Sequence, residues 1–331
     1  MLLIEFSICS HFHNSKTSRK LIIVLFSLLL LSIPSCSDDD DTAHYWQRSN
    51  VNKFIPTVWC SSVGDIYAGT SSGIYLSSDN GNTWLKKSTN VDPPNYARTF
   101  CEGKDKAIYM GAFAVFRTTN KGELWKELPS NGGLEYDYIN SIVIGDDSDI
   151  YVGAGNGFFI SKNLGTNWTK SIAGMADTSV NTLIINSTGV IYAGTNEEGL
   201  FKSSDRGLSW VKAGIGLRTL QVDCLVISPK GFLLAGTYNG VFKSTDDGEN
   251  WFATDIKSWT NTLTIDRIGY IYAGMVGRGI FRSSNDGSTW ESFNSGIQNN
   301  WSVVSMAVDS SGFIYASINK EGLYRSLYAN R

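Results

Sequence analysis

Residues 203–210 read Ser203-Ser204-Asp205-Arg206-Gly207-Leu208-Ser209-Trp210, and the phrase returns at 77–84, 244–251 and 283–290. Looser copies run from Thr118 to Trp125 and from Ser161 to Trp168, with Asn120 and Asn163 where Asp79, Asp205 and Asp246 stand elsewhere. Asn285 takes that place in the last copy. The closing residues Trp84, Trp125, Trp168, Trp210, Trp251 and Trp290 are 41, 43, 42, 41 and 39 residues apart. A period of this size is the mark of one supersecondary unit written many times, and it decides the architecture before any local propensity does.

Each unit contains a second phrase, Ile-Tyr-Ala-Gly or a variant, whose second residue is Tyr67, Tyr109, Tyr151, Tyr192, Leu234, Tyr272 or Tyr315. Upstream of it lies an apolar run such as Thr182-Leu183-Ile184-Ile185 or Thr262-Leu263-Thr264-Ile265. Short β-rich stretches punctuated by Gly, Asn, Asp and Ser read as strands joined by tight turns. Four antiparallel strands in about 42 residues make one blade of a β-propeller. Pro56, Pro93, Pro94, Pro129 and Pro229 fall in loops or at strand margins, as uninterrupted ladders require.

Seven Ile-Tyr-Ala phrases accompany only six Asp-type turns, because the unit from Val303 to Arg331 stops before its fourth strand. Tyr45-Trp46-Gln47-Arg48, 38 residues before Trp84 when counted from Trp46, has the character of an orphan fourth strand. The chain is therefore expected to be all-β, a seven-bladed β-propeller of four-stranded antiparallel blades over 45–331, its last blade closed by the N-terminal strand. Such closure leaves no exposed edge between blades. The alternative, an open six-blade solenoid, leaves apolar faces uncovered at both ends.

The phrase Ser-x-Asp-x-Gly-x-Thr-Trp resembles the Asp-box, or BNR repeat, of sialidase-like propellers. The resemblance implies a structural role for Asp79, Asn120, Asn163, Asp205, Asp246 and Asn285. An acidic side chain there can accept hydrogen bonds from its own turn, the glycine tolerates positive φ, and the tryptophan fills the wedge between blades. Near-equivalent copies spread around a rim cannot converge on one substrate. In such propellers the box lies on the face opposite the ligand site. Sialidase activity itself is not expected. The Phe/Tyr-Arg-Ile-Pro motif is absent, and Arg117, Arg206, Arg282 and Arg325 occupy repeat positions, leaving Arg98 alone at the mouth of the central channel to grip a carboxylate.

Composition narrows the chemistry further. The histidines are His11, His13 and His44, so the propeller has no imidazole base, no Ser-His-Asp or Cys-His nucleophile system and no His-ligated zinc. No metal or cofactor motif is present, and none is expected. A formal charge of −3 offers no bulk attraction for nucleic acid. Cys60, Cys101 and Cys224 are an odd set beyond Cys36, which argues against a disulfide framework and for free thiols.

Lys16, Arg19 and Lys20 precede an apolar run from Leu21 to Ile33, 13 residues long and ending in Pro34-Ser35-Cys36. The run is shorter than the ~20 residues a spanning helix needs, so it reads as a secretory signal over 1–35, with an N-terminal membrane anchor as the alternative. Ile33-Pro34-Ser35-Cys36 resembles a bacterial lipobox, which implies lipidation at Cys36. The stretch 36–44, with Ser37-Asp38-Asp39-Asp40-Asp41, resembles the surface-export tag of Bacteroidota lipoproteins, although four adjacent carboxylates also make a plain solvated spacer. Outer-membrane attachment through that lipid alone, possible surface exposure and a monomeric ring are the expectations.

Loops from each fourth strand to the next first strand open on the face opposite the Asp-type turns and vary in length and composition, as functional loops on a rigid scaffold do. Just before the innermost strands, Arg98, Asn140, Asn181, Asp223 and Asn261 recur in register and should encircle the mouth of the central channel. They are candidate ligand contacts, and equally candidate caps of strand ends. Tyr96, Tyr136, Tyr138, Trp259 and Trp301 are the aromatics of the same face. Asp223 is the only acid in the mouth register, with Glu135 and Asp137 as loop candidates, whereas glycoside hydrolysis needs a carboxylate pair. Regular propellers of this kind also resemble a photosystem II assembly factor, sortilin-type receptors and sensor domains of hybrid histidine kinases. The expected function is non-catalytic binding of a protein or glycan. A carboxylate-dependent glycan hydrolase or lyase is the first alternative, and a sensor with a separate signalling partner is the second.

Overall fold

The computed structural model describes residues 45–329, apart from 52, 88–96, 132–133, 135–137 and 176–178. The signal-like segment, Cys36 and the acidic linker therefore lie outside the described residues, as do Tyr96, Glu135, Tyr136 and Asp137. The described strands form seven four-stranded antiparallel sheets, each a meander in chain order except the last. The innermost strands of blades 1 to 7 are Thr57–Cys60, Thr99–Glu102, Ile139–Ile144, Val180–Ile185, Val222–Ile227, Thr260–Ile265 and Val303–Val308. Blade 7 takes its outermost strand from the other end of the chain. Trp46–Arg48 pairs antiparallel with Gly322–Ser326, with Trp46 opposite Ser326 and Arg48 opposite Tyr324.

The Ile-Tyr-Ala-Gly phrase forms the second strand of each blade, and such strands as Ile66–Thr70, Ile191–Thr195 and Ile271–Met275 are buried at every residue. A strand covered on both faces by neighbouring blades has no solvated side, so its sequence is continuously apolar rather than alternating. The glycine of the phrase lies inside the strand because the next blade passes too close for a side chain. A Cβ on Gly153 would meet Val180 Cγ1 at 2.6 Å, and one on Gly274 would meet Val303 Cγ1 at 2.6 Å. Blade 7 has Ser317 at this place, and its hydroxyl donates to the Ile55 carbonyl of blade 1.

Hydrophobic clusters occupy the seven gaps between blades. Trp125, Trp168, Trp210 and Trp251 are buried in four of these gaps, while Trp84 and Trp290 pack half-buried in two more. Trp46 fills the last. It is 4% exposed, donates from its indole to the Phe293 carbonyl at 2.7 Å, and has Phe293 edge-on at 5.6 Å. A buried aromatic removes roughly 150–250 Å² from water, about 4–6 kcal/mol of transfer free energy. The tryptophan period is thus the period of the blade interfaces.

The Ser-x-Asp/Asn-x-Gly turns share one hydrogen-bond scheme. The first hydroxyl donates to Oδ1 of the Asp or Asn at 2.7–3.0 Å. The glycine N–H donates back to that hydroxyl at 2.7–3.1 Å. Oδ1 also accepts the N–H four residues on at 2.8–3.0 Å. All of this needs only one oxygen, which is why asparagine serves at 120, 163 and 285. Aspartate stands where a second donor reaches Oδ2: Thr83 Oγ1 at 2.6 Å, Ser209 Oγ at 2.5 Å and Asn250 Nδ2 at 2.8 Å.

The residue before the glycine is itself left-handed, with φ of 56° at Asn80, 55° at Leu164 and 62° at Arg206. It points back to the preceding blade. Arg206 pairs with Asp147 at 2.6 Å, Lys121 with Asp65 at 2.7 Å and Asp286 with Lys230 at 2.6 Å. Cys60, Cys101 and Cys224 are free thiols on inner strands.

Candidate functional site

The innermost strands of blades 3 to 7 each break register at their second residue: the ladder skips Asn140, Asn181, Asp223, Asn261 and Val304. A bulge leaves one residue out of the pairing and re-aims its side chain. In blades 1 and 2 the equivalent residues are Pro56 and Arg98, directly before Thr57 and Thr99, which pair with Gly69 and Gly111. These seven positions and Phe54 line one cavity of about 490 Å³. A cavity with a wall residue from every blade lies on the propeller axis, at the mouth on the face away from the Ser-x-Asp/Asn-x-Gly turns.

Neighbouring blades are sewn together around this ring. Asn140 Nδ2 donates to the Val180 carbonyl at 3.1 Å, Asn181 Nδ2 to the Val222 carbonyl at 3.3 Å, and Asn261 Nδ2 to the Val303 carbonyl at 3.3 Å. Each asparagine thus holds the bulge of the next blade. Arg98 Nη1 donates to Asn140 Oδ1 at 3.0 Å, and its guanidinium lies 4.2 Å over the ring centre of Tyr138. Tyr138 in turn packs on Phe113, with ring centres 4.6 Å apart.

Asp223 faces the cavity from blade 5, and its oxygens are held separately. Gln221 Nε2 donates to Oδ1 at 2.8 Å, and Trp259 Nε1 donates to Oδ2 at 2.8 Å. Burial raises its pKa from the ordinary aspartate value, although these two hydrogen bonds pull it down. Trp259 packs on Tyr238 with ring centres 5.4 Å apart. Among the described residues lining the cavity, Asp223 is the one carboxylate. No other described wall residue is an acid that could complete a hydrolytic pair with it.

The structure therefore brings Arg98, Asn140, Asn181, Asp223 and Asn261 together, with Tyr138 and Trp259 bracing the two charged members. Trp301 goes elsewhere. Its ring stands 5.5 Å from Tyr324 and packs against the cluster between blades 6 and 7. Phe54, Pro56 and Val304 are wall residues that reading for polar groups passes over. Counting the same offset into the first and last blades finds Pro56 and Val304, since register does not depend on polarity.

No protein-family model matches the chain. No curated protein sequence matches it either. Among solved structures it is similar to the extracellular domain of a proposed hybrid two component system from B. thetaiotaomicron. That likeness has a TM-score of 0.73 and 16% identity over 87% of this chain and 40% of the other, so the chain spans about two-fifths of that protein's length. It is also similar to a virginiamycin B lyase from Staphylococcus aureus, solved with quinupristin as a catalytically inactive histidine-to-alanine variant. There the TM-score is 0.71 at 14% identity, covering 86% of this chain and 99% of that one. A structure of YCF48 bound to D1 peptide gives a TM-score of 0.68 at 15% identity, covering 86% and 97%. At such identities the likeness concerns fold alone.

Proposed function

We propose that this chain is a non-catalytic binding lipoprotein of the cell envelope, anchored in the outer membrane through Cys36, whose propeller recognises a protein or glycan at the channel mouth. The observation that carries the reading is the convergence of one residue from each of seven blades on a single open cavity with one carboxylate among its described wall residues. The bulges expend ladder hydrogen bonds to aim those side chains at the axis, and the asparagine bridges hold them there. Preorganised polar groups around an open mouth suit recognition. Chemistry by carboxylates would need a partner for Asp223. The basic stretch at Lys16–Lys20, the apolar run and the lipobox-like residues before Cys36 support the envelope address, and the Asp-box reading of the six turns agrees with a ligand face on the opposite side.

The similar folds fit this reading without deciding it. One is the extracellular domain of a signalling protein and another is bound to a peptide. The similar lyase is inactive with a histidine replaced, and this chain has no histidine after His44. A sensor acting with a separate partner uses the same mouth and is the second form of the proposal. The test is a binding panel of polysaccharides and peptides, with reducing sugar and cleavage products followed in parallel. Retention without product supports a binder. Product whose release stops in Asp223→Asn overturns it in favour of a hydrolase or lyase.

A further inference from the structure

The ring at the mouth is chemically sectored. Blades 4, 5 and 6 supply Asn181, Asp223 and Asn261 in succession. Each of the two asparagines gives one Nδ2 N–H to the next blade's carbonyl, and neither Oδ1 accepts a hydrogen bond from another described residue, so each brings an uncommitted acceptor to the wall beside the Asp223 carboxylate. An ionised carboxylate has about four lone-pair sites, and Gln221 and Trp259 take one each. This arc carries a carboxylate between two uncommitted amide oxygens. Blade 2 presents Arg98, which gives one N–H to Asn140 and stands over the ring of Tyr138. A guanidinium has about five N–H donors in a fork that fits a carboxylate. Blades 7 and 1 contribute Val304, Pro56 and Phe54, an apolar arc between the other two.

Arg98 and Asp223 stand three blades apart one way and four the other, on opposite sides of the opening. Their own protein partners are Asn140 and Tyr138 for the first, Gln221 and Trp259 for the second. A ligand seated across the mouth must answer both charges. A neutral glycan desolvates them without pairing either, which is costly. An acidic glycan satisfies Arg98 but leaves Asp223 without a cation. We infer that the mouth takes a short zwitterionic peptide, its ammonium on the Asn181–Asp223–Asn261 arc, its carboxylate on Arg98 and an apolar side chain against Phe54, Pro56 and Val304. This rests on the mouth being the ligand site. Three unlike contacts around one opening also fix the direction in which the peptide lies.

The full chain, immobilised, is exposed to a synthetic library of tri- to pentapeptides with free termini. The same library is offered N-acetylated, C-amidated and doubly capped, beside neutral and acidic oligosaccharides. The expected result is retention of the free-ended library and a loss of about tenfold or more for each single cap. Arg98→Gln should erase the discrimination against amidation while keeping that against acetylation, and Asp223→Asn should do the reverse. Arg98→Lys should keep both preferences, which separates a charge effect from a folding defect, and the melting temperature of each variant is recorded. Equal retention of free and doubly capped peptides, retention of oligosaccharides instead, or no retention of any peptide overturns the zwitterion assignment. Retention that persists in Asn181→Trp, which fills the mouth, overturns the mouth reading as well.

Discussion

The indole N–H of Trp259 donates to Asp223 Oδ2 at 2.8 Å, tying the residue before the innermost strand of blade 6 to the innermost strand of blade 5, 36 residues away in sequence. The pair sets the electrostatics of the mouth. Trp259 holds the carboxylate in place and shields it, so that burial raises its pKa despite two donors. An aspartate whose folded pKa lies above its unfolded one adds stability that is complete at acid pH and disappears as pH rises through the folded pKa. Asp223→Asn removes that penalty. Its melting temperature relative to wild type should be more favourable at neutral pH than at pH 3. A difference that is constant with pH would contradict a buried, titrating Asp223.

The turn aspartates behave in the opposite sense. Hydrogen bonds from the side chain and backbone of Thr83 pull Asp79 down to about 2, and those of Ser209 do the same to Asp205. A lowered carboxylate pKa contributes stability that is present above the unfolded value and is lost as pH falls toward 2. Both groups are open to water, so screening keeps the effect small. Asp205→Ala should cost about 0.5–1.5 kcal/mol in urea at pH 7, the usual range for a lost hydrogen bond. Asp205→Asn should cost less, since asparagine already does this work at 120, 163 and 285. The gap between wild type and Asp205→Ala should narrow as pH falls toward 2.

Ring closure rests on Trp46. Truncating a buried aromatic typically costs about 3–5 kcal/mol, and Trp46→Ala also orphans the Phe293 carbonyl that its indole now reaches. Deleting residues 42–49 should lower the melting temperature at least as far. An unchanged melting temperature would show that the strand at 46–48 does not complete blade 7.

Leu164 sits at φ 55° with half its surface exposed. A left-handed backbone costs a residue with a Cβ roughly 1–2 kcal/mol, and asparagine tolerates it better. Asn80 holds the equivalent place in blade 1. Leu164→Asn should therefore stabilise the chain by about 0.5–1 kcal/mol in urea denaturation. Destabilisation would mean that the leucine makes packing contacts worth more than the strain.

Much of this architecture is legible in the tryptophan spacing and in the stray Tyr45-Trp46-Gln47-Arg48, because every blade must bury the same wedge and one blade lacks its own. The mouth register is legible for the same reason: Arg98, Asn140, Asn181, Asp223 and Asn261 recur at one offset from a repeated strand. What does not show is the bulge that aims them, since a bulge is a fault in pairing between two strands and leaves no residue type behind. Nor does sequence separate Trp259, turned to an acid, from Trp301, sunk against Tyr324. Both are tryptophans in loops of the same face, and only the neighbours that each meets distinguish them. The left-handed residue before each turn glycine is equally silent, because arginine, lysine, leucine, asparagine and aspartate all occupy it.

The most direct measurement is an equilibrium binding isotherm for the best-retained compound of the combined peptide and polysaccharide panel. It is taken on the wild-type chain, on Asn181→Trp at the mouth and on Ser187→Trp on the opposite face. If the channel mouth is the ligand site, Asn181→Trp weakens binding by about tenfold or more while Ser187→Trp binds as wild type. Wild-type affinity in Asn181→Trp, with its fold intact, would contradict it.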